Sequence, residues 1–307
     1  MPFPEAKRVL YGKNPLDQVI CQMRFPPILR IDAEIPADFQ ERVRKHFPNY
    51  SESSEWNIEV PAGVRGQIPP EVLRQAVQSS GVKNYAFSSD DGNWKINLTR
   101  NFIALTTNRY HRWEEFKTKL KIPLDALIAV YAPGSFSRIG LRYIDVIRRS
   151  SLNLFDVAWE DLLQPYIAGI LGAPQVSAHV RNFENKYEVE LSDGESMVRI
   201  ISRFVEDREP GEICYMIDSD FFNASKTQIE SAIEKLDYFN VRGSRLIQWC
   251  ITDRLHNAME PQLLCPITFK KLTRKLSTRC HARSVIRSLT AQRMRLLAAT
   301  CLQIFCP

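Results

Sequence analysis

The amino-acid sequence predicts an α+β fold built from two duplicated β-α-β4-α units, in which helices cover antiparallel sheets. Alternating apolar and polar residues mark several short segments as strands with one buried face. In other segments apolar residues recur every three or four positions, as they do in amphipathic helices. Both kinds of segment follow each other in a similar order in the two halves of the chain. The composition, with 44% hydrophobic and 25% charged residues, is that of a globular protein.

The first unit is predicted to span residues 1–134. Its first strand, within residues 16–31, ends at Pro26 and Pro27, because proline cannot donate to a strand ladder. Pro36 then opens a short helix. An irregular insertion is expected at about residues 49–82, with a short helix at 71–79 inside it. The unit continues with strands at residues 85–87, 94–99 and 102–107 and with an amphipathic helix at 113–130, which Pro123 is expected to kink or divide.

The second unit is predicted to span residues 135–260. It opens with a strand at residues 138–143, and a helix at 156–170 follows. A last helix at residues 229–255 is expected to break at Gly243. Between the two helices, four strands are predicted at residues 176–183, 187–191, 198–205 and 213–217.

Charge is distributed unevenly along the chain. The formal net charge is +6, but residues 261–307 contain three Lys, six Arg and no acidic residue. This segment therefore carries +9, and residues 1–260 carry −3. A mildly acidic body has no bulk attraction to nucleic acid or to an anionic membrane. The sequence thus sets residues 261–307 apart as a basic tail.

The sequence leaves three interpretations of this basic tail open. The absence of Asp and Glu over 47 residues favours a displaced reading frame or an otherwise non-native segment. A second interpretation is a basic arm for nucleic acid or anionic lipid. The third is a metal site, although no two of its cysteines have the spacing of a zinc knuckle. Its ligands would come from Cys265, Cys280, His281, Cys301 and Cys306.

Cysteine usage predicts a reducing compartment. Cys21, Cys214 and Cys250 lie in apolar contexts and are expected to be buried free thiols. Residues 1–5 lack the charged and then apolar pattern of a secretion signal. No apolar run approaches the roughly 20 residues that span a membrane. We therefore expect a cytoplasmic protein without a membrane span.

Two pairs of arginines are the candidate ligand-binding residues. Arg138 and Arg142 share one face of a predicted strand, with Gly140 between them. Two guanidinium groups beside bare backbone could hold a phosphate or a carboxylate. Arg199 and Arg203 repeat the spacing in the second unit. The alternative, which the sequence favours for Arg138 and Arg142, is that they form ion pairs with acidic residues of a neighbouring strand or helix.

Asp218 and Asp220 form the one candidate metal-binding pair in the body of the chain. They precede a predicted helix, where acidic residues are common because of the helix dipole, and this structural role is favoured. The sequence contains no glycine-rich phosphate loop, no nucleophile elbow and no zinc-type histidine spacing. His111 and His256 are expected to be surface or capping residues. We expect no catalytic residue and no cofactor.

Three segments resemble a sporadically distributed family of uncharacterised bacterial proteins of about 250 residues. They are the opening Phe3-Pro4-Glu5 with Asn14-Pro15-Leu16 and residues 19–25, then residues 138–143, and finally residues 251–255. The resemblance covers residues 1–260 and leaves out the basic tail. It implies cargo of mobile or defence-linked loci and brings no catalytic residues to carry over.

The sequence favours a non-enzymatic binding or assembly module that engages a protein partner or a second copy of itself. One alternative is a nucleic-acid-binding protein that uses a saddle-like sheet or the basic tail. The other is a metal-dependent hydrolase that uses Asp218 and Asp220. A deep polar pocket holding Arg138, Arg142, Arg199, Asp218 and His111 together would count against the binding module.

Overall fold

The strands of the protein form antiparallel sheets. A computed structural model of the chain describes residues 2–55, 82–207 and 211–263. The strands within these residues are β1 (Val9–Tyr11), β2 (Leu16–Arg24), β3 (Asn49–Glu55), β4 (Val82–Ser88), β5 (Trp94–Thr99), β6 (Phe102–Thr107), β7 (Arg138–Ile147), β8 (Glu184–Glu190), β9 (Ser196–Glu206), β10 (Ile213–Asn223) and β11 (Pro261–Leu263).

Two long helices and several short ones accompany the strands in the described residues. The α-helices are α1 (Leu29–Ala33), α2 (Ala37–Val43), α3 (Trp113–Tyr131), α4 (Pro165–Ala168), α5 (Ala232–Cys250) and α6 (Asp253–Ala258). Short 3-10 turns lie at Ser150–Leu152, Trp159–Asp161, Gly169–Gly172, Ser177–His179 and Ile229–Ser231. Among these helices, none combines the length and the apolar character that crossing a membrane requires.

The larger sheet places β2 and β7 side by side at its centre. Over the described residues it has nine strands in the order β3-β4-β5-β6-β2-β7-β10-β9-β8, and every neighbouring pair is antiparallel. Strands of the first predicted unit lie on the β2 side, and strands of the second lie on the β7 side. The protein is therefore an α+β protein whose antiparallel sheet continues across the boundary between the two predicted units.

The two sides of this sheet differ in element count. After β2 the chain forms helices, four strands and α3, which is the predicted β-α-β4-α order. After β7 it forms short helices, three strands and α5. The strand predicted at residues 176–183 is wrong, since these residues form a 3-10 turn and irregular chain, and Val176 is exposed. Internal duplication stays a prediction.

One face of the large sheet, the core face, packs against the helices. Ring contacts join α2, α3 and α5 to strands of this sheet, and the centroid distances are 5.4, 5.7 and 6.4 Å. The pairs are Phe39 of α2 with Phe87, Trp94 with Phe116 of α3, and Phe221 with Phe239 of α5. The opposite side, here named the polar face, carries Arg138, Arg142, Arg199, Arg203, Asp218 and Asp220.

A two-stranded sheet fastens the N-terminal segment to the end of the body. β1 pairs with β11 in antiparallel register. Gly12 and Lys13 extend this contact by donating backbone hydrogen bonds of 3.0 Å to the carbonyls of Glu260 and Met259. Residues 261–263, which the sequence assigns to the basic tail, are thus part of this sheet. The expectations for the rest of the tail, and for a helix at residues 71–79, lie outside the described residues.

Three further predictions differ from the structure. The helix predicted at residues 156–170 is a series of short turns, because Pro165 lacks the N–H of a helix interior and instead starts α4. Residues 49–55 are a strand rather than irregular chain. α5 continues through Gly243, where the sequence predicts a break, and Pro123 does not divide α3, where the sequence predicts a kink or a division. The predicted thiols Cys21, Cys214 and Cys250 are buried and free.

Gly243 is required by close packing rather than by a helix break. A Cβ atom at this position would lie 2.7 Å from the Tyr143 ring. That distance is far below van der Waals contact, and Tyr143 is itself buried. The glycine therefore lets α5 approach β7 closely.

We expect Gly243→Ala to lower the free energy of unfolding by about 1–2 kcal/mol, because strain from overpacking exceeds the roughly 1 kcal/mol that alanine gains over glycine in a helix. Urea unfolding of the full chain measures this. Gly134→Ala is the control, since its Cβ would meet no atom within 4 Å. An unchanged or raised stability of Gly243→Ala would show that the helix and the ring can separate freely.

Candidate functional site

Six charged residues that the sequence singles out lie together on the polar face. They are Arg138 and Arg142 of β7, Arg199 and Arg203 of β9, and Asp218 and Asp220 of β10. β10 lies between β7 and β9, and Asp220 is the register partner of Arg142 on one side and of Arg199 on the other. Because alternate side chains of a strand point to the same face, all six share one surface.

Both arginines of β7 form ion pairs with the aspartates of β10. Arg142 donates from Nε to Asp218 Oδ1 at 2.7 Å and from Nη2 to Asp218 Oδ2. The Asp218 side chain is 6% exposed, so this paired contact replaces most of its water. Arg138 Nη2 donates to Asp220 Oδ2 at 2.8 Å. These are the cross-strand ion pairs that the sequence favours for Arg138 and Arg142.

The arginines of β9 form ion pairs with glutamates of the edge strand β8. Arg199 Nε donates to Glu188 Oε1 at 2.7 Å. Arg203 Nη1 lies 3.7 Å from Glu184 Oε2. These side chains are about half exposed, so each pair contributes at most about 1 kcal/mol of stability. All four candidate arginines therefore have a carboxylate partner, and a role for them in ligand binding stays a prediction.

Phe222 completes the polar face and was not identified from the sequence. The guanidinium carbons of Arg138 and Arg199 lie 4.8 and 5.7 Å from the centre of its ring. Such cation–π contacts restrain both arginines. The spacing of two residues from Asp220 could have placed Phe222 on this face, because side chains alternate along a strand.

Partial burial sets the protonation behaviour of the ion pairs. Burial lowers the pKa of Arg138, and burial likewise raises the pKa of Asp220, although the arginines around Asp220 oppose that rise. For Arg142, the hydrogen bond to Asp218 is the largest influence and raises its pKa. The protonation of Arg138, Arg142 and Asp220 thus depends on burial and on a neighbour of opposite sign.

A metal ion at Asp218 and Asp220 would have to displace these arginines. Both carboxylates already accept hydrogen bonds from guanidinium groups. Within the described ranges, no group of three or more His, Cys, Asp and Glu side chains is arranged to hold a metal. The predicted metal pair therefore lacks a third ligand among these residues.

We expect Arg142→Met to destabilise the protein by about 2–4 kcal/mol, because it leaves the buried Asp218 carboxylate without its cation. Chemical denaturation measures this loss. Arg142→Met combined with Asp218→Asn should recover part of it, since the unpaired charge is then gone. Arg199→Met, which opens an exposed pair, should change stability by no more than about 1 kcal/mol. Equal costs for Arg142→Met and Arg199→Met would contradict this interpretation.

A cavity of about 190 Å³ lies on the core face beneath α5. Its walls come from the N-terminal segment, from residues 110–113, and from side chains of β7, β10 and α5. Its polar lining includes the phenols of Tyr11, Tyr110 and Tyr143, the amide of Asn240 and the guanidinium groups of Arg8, Arg112 and Arg245. Of the residues named for a deep polar pocket, only His111 lines this cavity.

Asp145 of β7 lines this cavity with a buried carboxyl group. The residue is 5% exposed. Within the described residues its carboxyl takes part in no hydrogen bond or ion pair. Burial, followed by the charge of Asp218, raises the pKa of Asp145 to about 7. Asp145 thus changes its charge close to neutral pH.

Side chains around Asp145 are held in place by hydrogen bonds. The Tyr11 hydroxyl lies 2.9 Å from Nδ1 of His256. Tyr143 donates from its hydroxyl to Oδ1 of Asn240 at 3.1 Å. The Ser219 hydroxyl on β10 is buried and has no hydrogen-bond partner in the part of the chain that the structure describes. The cavity therefore combines fixed aromatic groups with two buried polar groups, Asp145 and Ser219, that remain unpaired.

The sheet is irregular beside Asp145. The register between β2 and β7 shifts between Leu16 and Gln18, and Leu16 is the residue opposite Asp145. One extra residue, Asp17, therefore lies on the β2 side. Bulges of this kind are common next to functional sites, where they redirect side chains.

Asp145 was not identified as a site residue from the sequence, although the strand pattern contains the information. Alternation from Leu141 and Tyr143 places residue 145 on the same buried face. A carboxylate at such a position carries a large desolvation cost unless it is paired. The pattern could have marked Asp145, but the missing partner is visible only in three dimensions.

Comparison with known proteins adds no relative to this architecture. No family model, no curated protein and no solved structure matches the chain. The class of the protein therefore rests on its own fold, which is an antiparallel α+β sheet with helices on the core face. Its function has to be inferred from the polar face and from the cavity.

We expect the stability of the protein to fall between about pH 4 and pH 8 through Asp145. Its pKa is raised from 3.8 to about 7, so the folded state retains a proton that the unfolded chain has already lost. The resulting loss in the free energy of unfolding is absent below about pH 4 and reaches about 4 kcal/mol above pH 7. Asp145→Asn should remove it.

Urea unfolding at a series of pH values checks this expectation. The difference in stability between Asp145→Asn and wild type should grow in favour of the variant as the pH rises. Asp125→Asn, at an exposed position of α3, should follow the wild-type curve. Parallel curves for wild type and Asp145→Asn would show that the carboxyl ionises normally.

Proposed function

We propose that this protein is a non-enzymatic binding module whose polar face docks a protein partner. The observation that carries the proposal is that cross-strand ion pairs hold the four arginines of that face in fixed positions. Arginine and aromatic side chains are enriched in protein interfaces, and ordering them in advance lowers the entropic cost of binding. Phe222 supplies an aromatic group between two of these arginines.

Charge balance favours a protein over a nucleic acid as the partner. Each candidate arginine has a carboxylate beside it, so the polar face presents no uninterrupted positive surface. Nucleic acids are bound chiefly through such positive surfaces. A protein with charges of both signs matches the polar face better. The partner is either a different protein or a second copy of this chain.

The hydrolase alternative has less support. Its two aspartates would have to lose Arg138 and Arg142 before they could bind a metal. The proposal also keeps the expected cytoplasmic location, and the three buried free thiols support it. Bacterial origin and a mobile or defence-linked locus remain part of the proposal on the strength of the sequence resemblance alone.

Affinity purification of the full chain from its native cells tests the proposal. We expect a specific protein partner, and we expect the double change Arg199→Glu and Arg203→Glu to lower its recovery by at least about tenfold, or about 1.4 kcal/mol. Both side chains are about half exposed, so the fold should survive the change. Light scattering of the purified protein shows whether the partner is a second copy.

The matched control changes Arg42 and Arg44 to Glu on α2, which lies on the other side of the sheet. These exposed arginines give the same change in net charge, and Arg44 also has an acidic partner, Glu41. Equal loss of the partner in both variants would assign the effect to net charge. Recovery that disappears on nuclease treatment would favour the nucleic-acid alternative instead.

A further inference from the structure

Asp145 differs from the other buried acidic residues of the described chain. Asp218 is paired with Arg142. Glu212 accepts hydrogen bonds from the backbone N–H and the hydroxyl of Ser150. Asp145, equally buried, has neither a cation nor a donor within the described ranges. A buried carboxylate without a partner costs several kcal/mol, so an external partner is the simplest reason for its presence.

A second unpaired group lies near Asp145. Ser219 is on β10, directly opposite Tyr143 in the ladder, and it lines the same cavity. Its buried hydroxyl has no hydrogen-bond partner. Two unsatisfied polar groups on neighbouring strands therefore line one cavity. A molecule in that cavity could satisfy both, as a donor to the carboxylate and as a partner for the hydroxyl.

We propose that the cavity beneath α5 binds a small organic ammonium ion, and that the Asp145 carboxylate holds it. An ammonium group supplies both the positive charge and the N–H donors that a carboxylate accepts. The aromatic residues of the walls, Tyr11, Tyr110, Tyr143 and Trp113, suit the apolar part of such a ligand and can also attract a cation. This site is separate from the polar face, so it stands or falls independently of the proposed function.

Two of the three arginines that line the cavity, Arg8 and Arg245, are paired with carboxylates other than Asp145. Arg8 is 42% exposed and donates to both carboxylate oxygens of Glu114, at 2.6 and 2.8 Å. Arg245 lies 3.7 Å from Glu5. Neither arginine contributes to the pKa of Asp145, which is governed by burial and by Asp218. Asp145 is thus the carboxylate of the cavity that neither of these two arginines pairs with.

The volume of the cavity limits the size of the ligand. About 190 Å³ is the space of roughly six water molecules. This suits a small amine and excludes a folded chain segment. The bulge in β2 lies opposite Asp145, at the wall of this cavity that Leu16 also lines.

Binding should depend on pH, because an ammonium ion needs Asp145 in its charged form. At low pH the ligand must displace a proton from the carboxyl group, and that proton passes to the solvent. Affinity should therefore rise as the pH increases toward and past about 7, the pKa of Asp145. The charged and titratable groups facing Asp145 or lining the cavity are Asp218 of β10, Tyr143 of β7, Tyr11 of β1, Cys250 and Arg245 of α5, and Arg8, Tyr110, His111 and Arg112.

Calorimetric titration of the full chain tests the proposal with defined probes. Ethylammonium, butylammonium and benzylammonium are the cationic probes, benzyl alcohol and benzoate are their neutral and anionic counterparts, and potassium chloride controls for inorganic cations. We expect at least one ammonium probe to bind wild type, at least about tenfold more tightly at about pH 8 than at about pH 6. Asp145→Asn should weaken this binding by at least about tenfold, and Asp125→Asn should leave it unchanged.

Several outcomes would overturn the ammonium site. They are no binding by any ammonium probe, equal binding of benzyl alcohol or benzoate, equal binding of potassium, or full retention of binding in Asp145→Asn. Since Asp145→Asn removes a buried charge, it should fold, and the pH dependence of wild type supplies a second, independent measurement. Loss of the protein partner in the Arg199 and Arg203 variant would leave this result untouched.

Discussion

The strict alternation of side chains along β7, at the centre of the sheet, is the constraint on which both surfaces depend. Arg138 and Arg142 point to the polar face, and Tyr143 and Asp145 point to the core face. Nine register pairs with β10 fix this assignment. A slip of one residue would bury the arginines and expose the tyrosine, and it would cost the core contacts of the whole strand. Packing of the core thus also decides where the candidate site residues lie.

The two faces are electrostatically connected through the thickness of one sheet. Asp218 lies on the polar face and Asp145 on the core face, yet the charge of Asp218 contributes to the raised pKa of Asp145. Arg142 holds the carboxylate of Asp218 in a paired contact. Since Arg142 neutralises that carboxylate in part, the ion pair on one face limits the repulsion that the carboxyl on the other face experiences. The cavity cannot be understood without the pairs outside it.

Local pattern predicted the parts of the fold whose stability comes from burial of a regular apolar face. Alternation of apolar residues at Trp94, Ile96 and Leu98 predicted β5, and apolar residues spaced three and four positions apart predicted α3. Local pattern failed to predict the structure where strand pairing or a single residue determines it. β3 consists mostly of serine and glutamate and becomes a strand because β4 offers a ladder. Pro165 divides a segment whose apolar spacing alone predicts one helix. The ion pairs of Arg138 and Arg142 were predictable, because opposite charges on the same face of neighbouring strands lie within reach of each other. Asp145 is distinguished by the lack of such a neighbour, which the sequence does not show.

The Arg142–Asp218 pair and Asp145 differ in that the fold pairs the first charge internally and leaves the second without a partner among the described residues. Arg142 and Asp218 neutralise each other, so removal of one partner lowers the stability of the protein without any ligand being involved. From its raised pKa, Asp145 is instead expected to lower the stability of the protein at neutral pH, which an apolar side chain of similar size would not do. A group that destabilises the fold and is bordered by a cavity, an unpaired hydroxyl and a strand bulge is better explained by what it binds than by what it supports. The arginines of the polar face already have carboxylate partners and Asp145 has none among the described residues. A small ligand is therefore expected in the cavity rather than at the row of arginines.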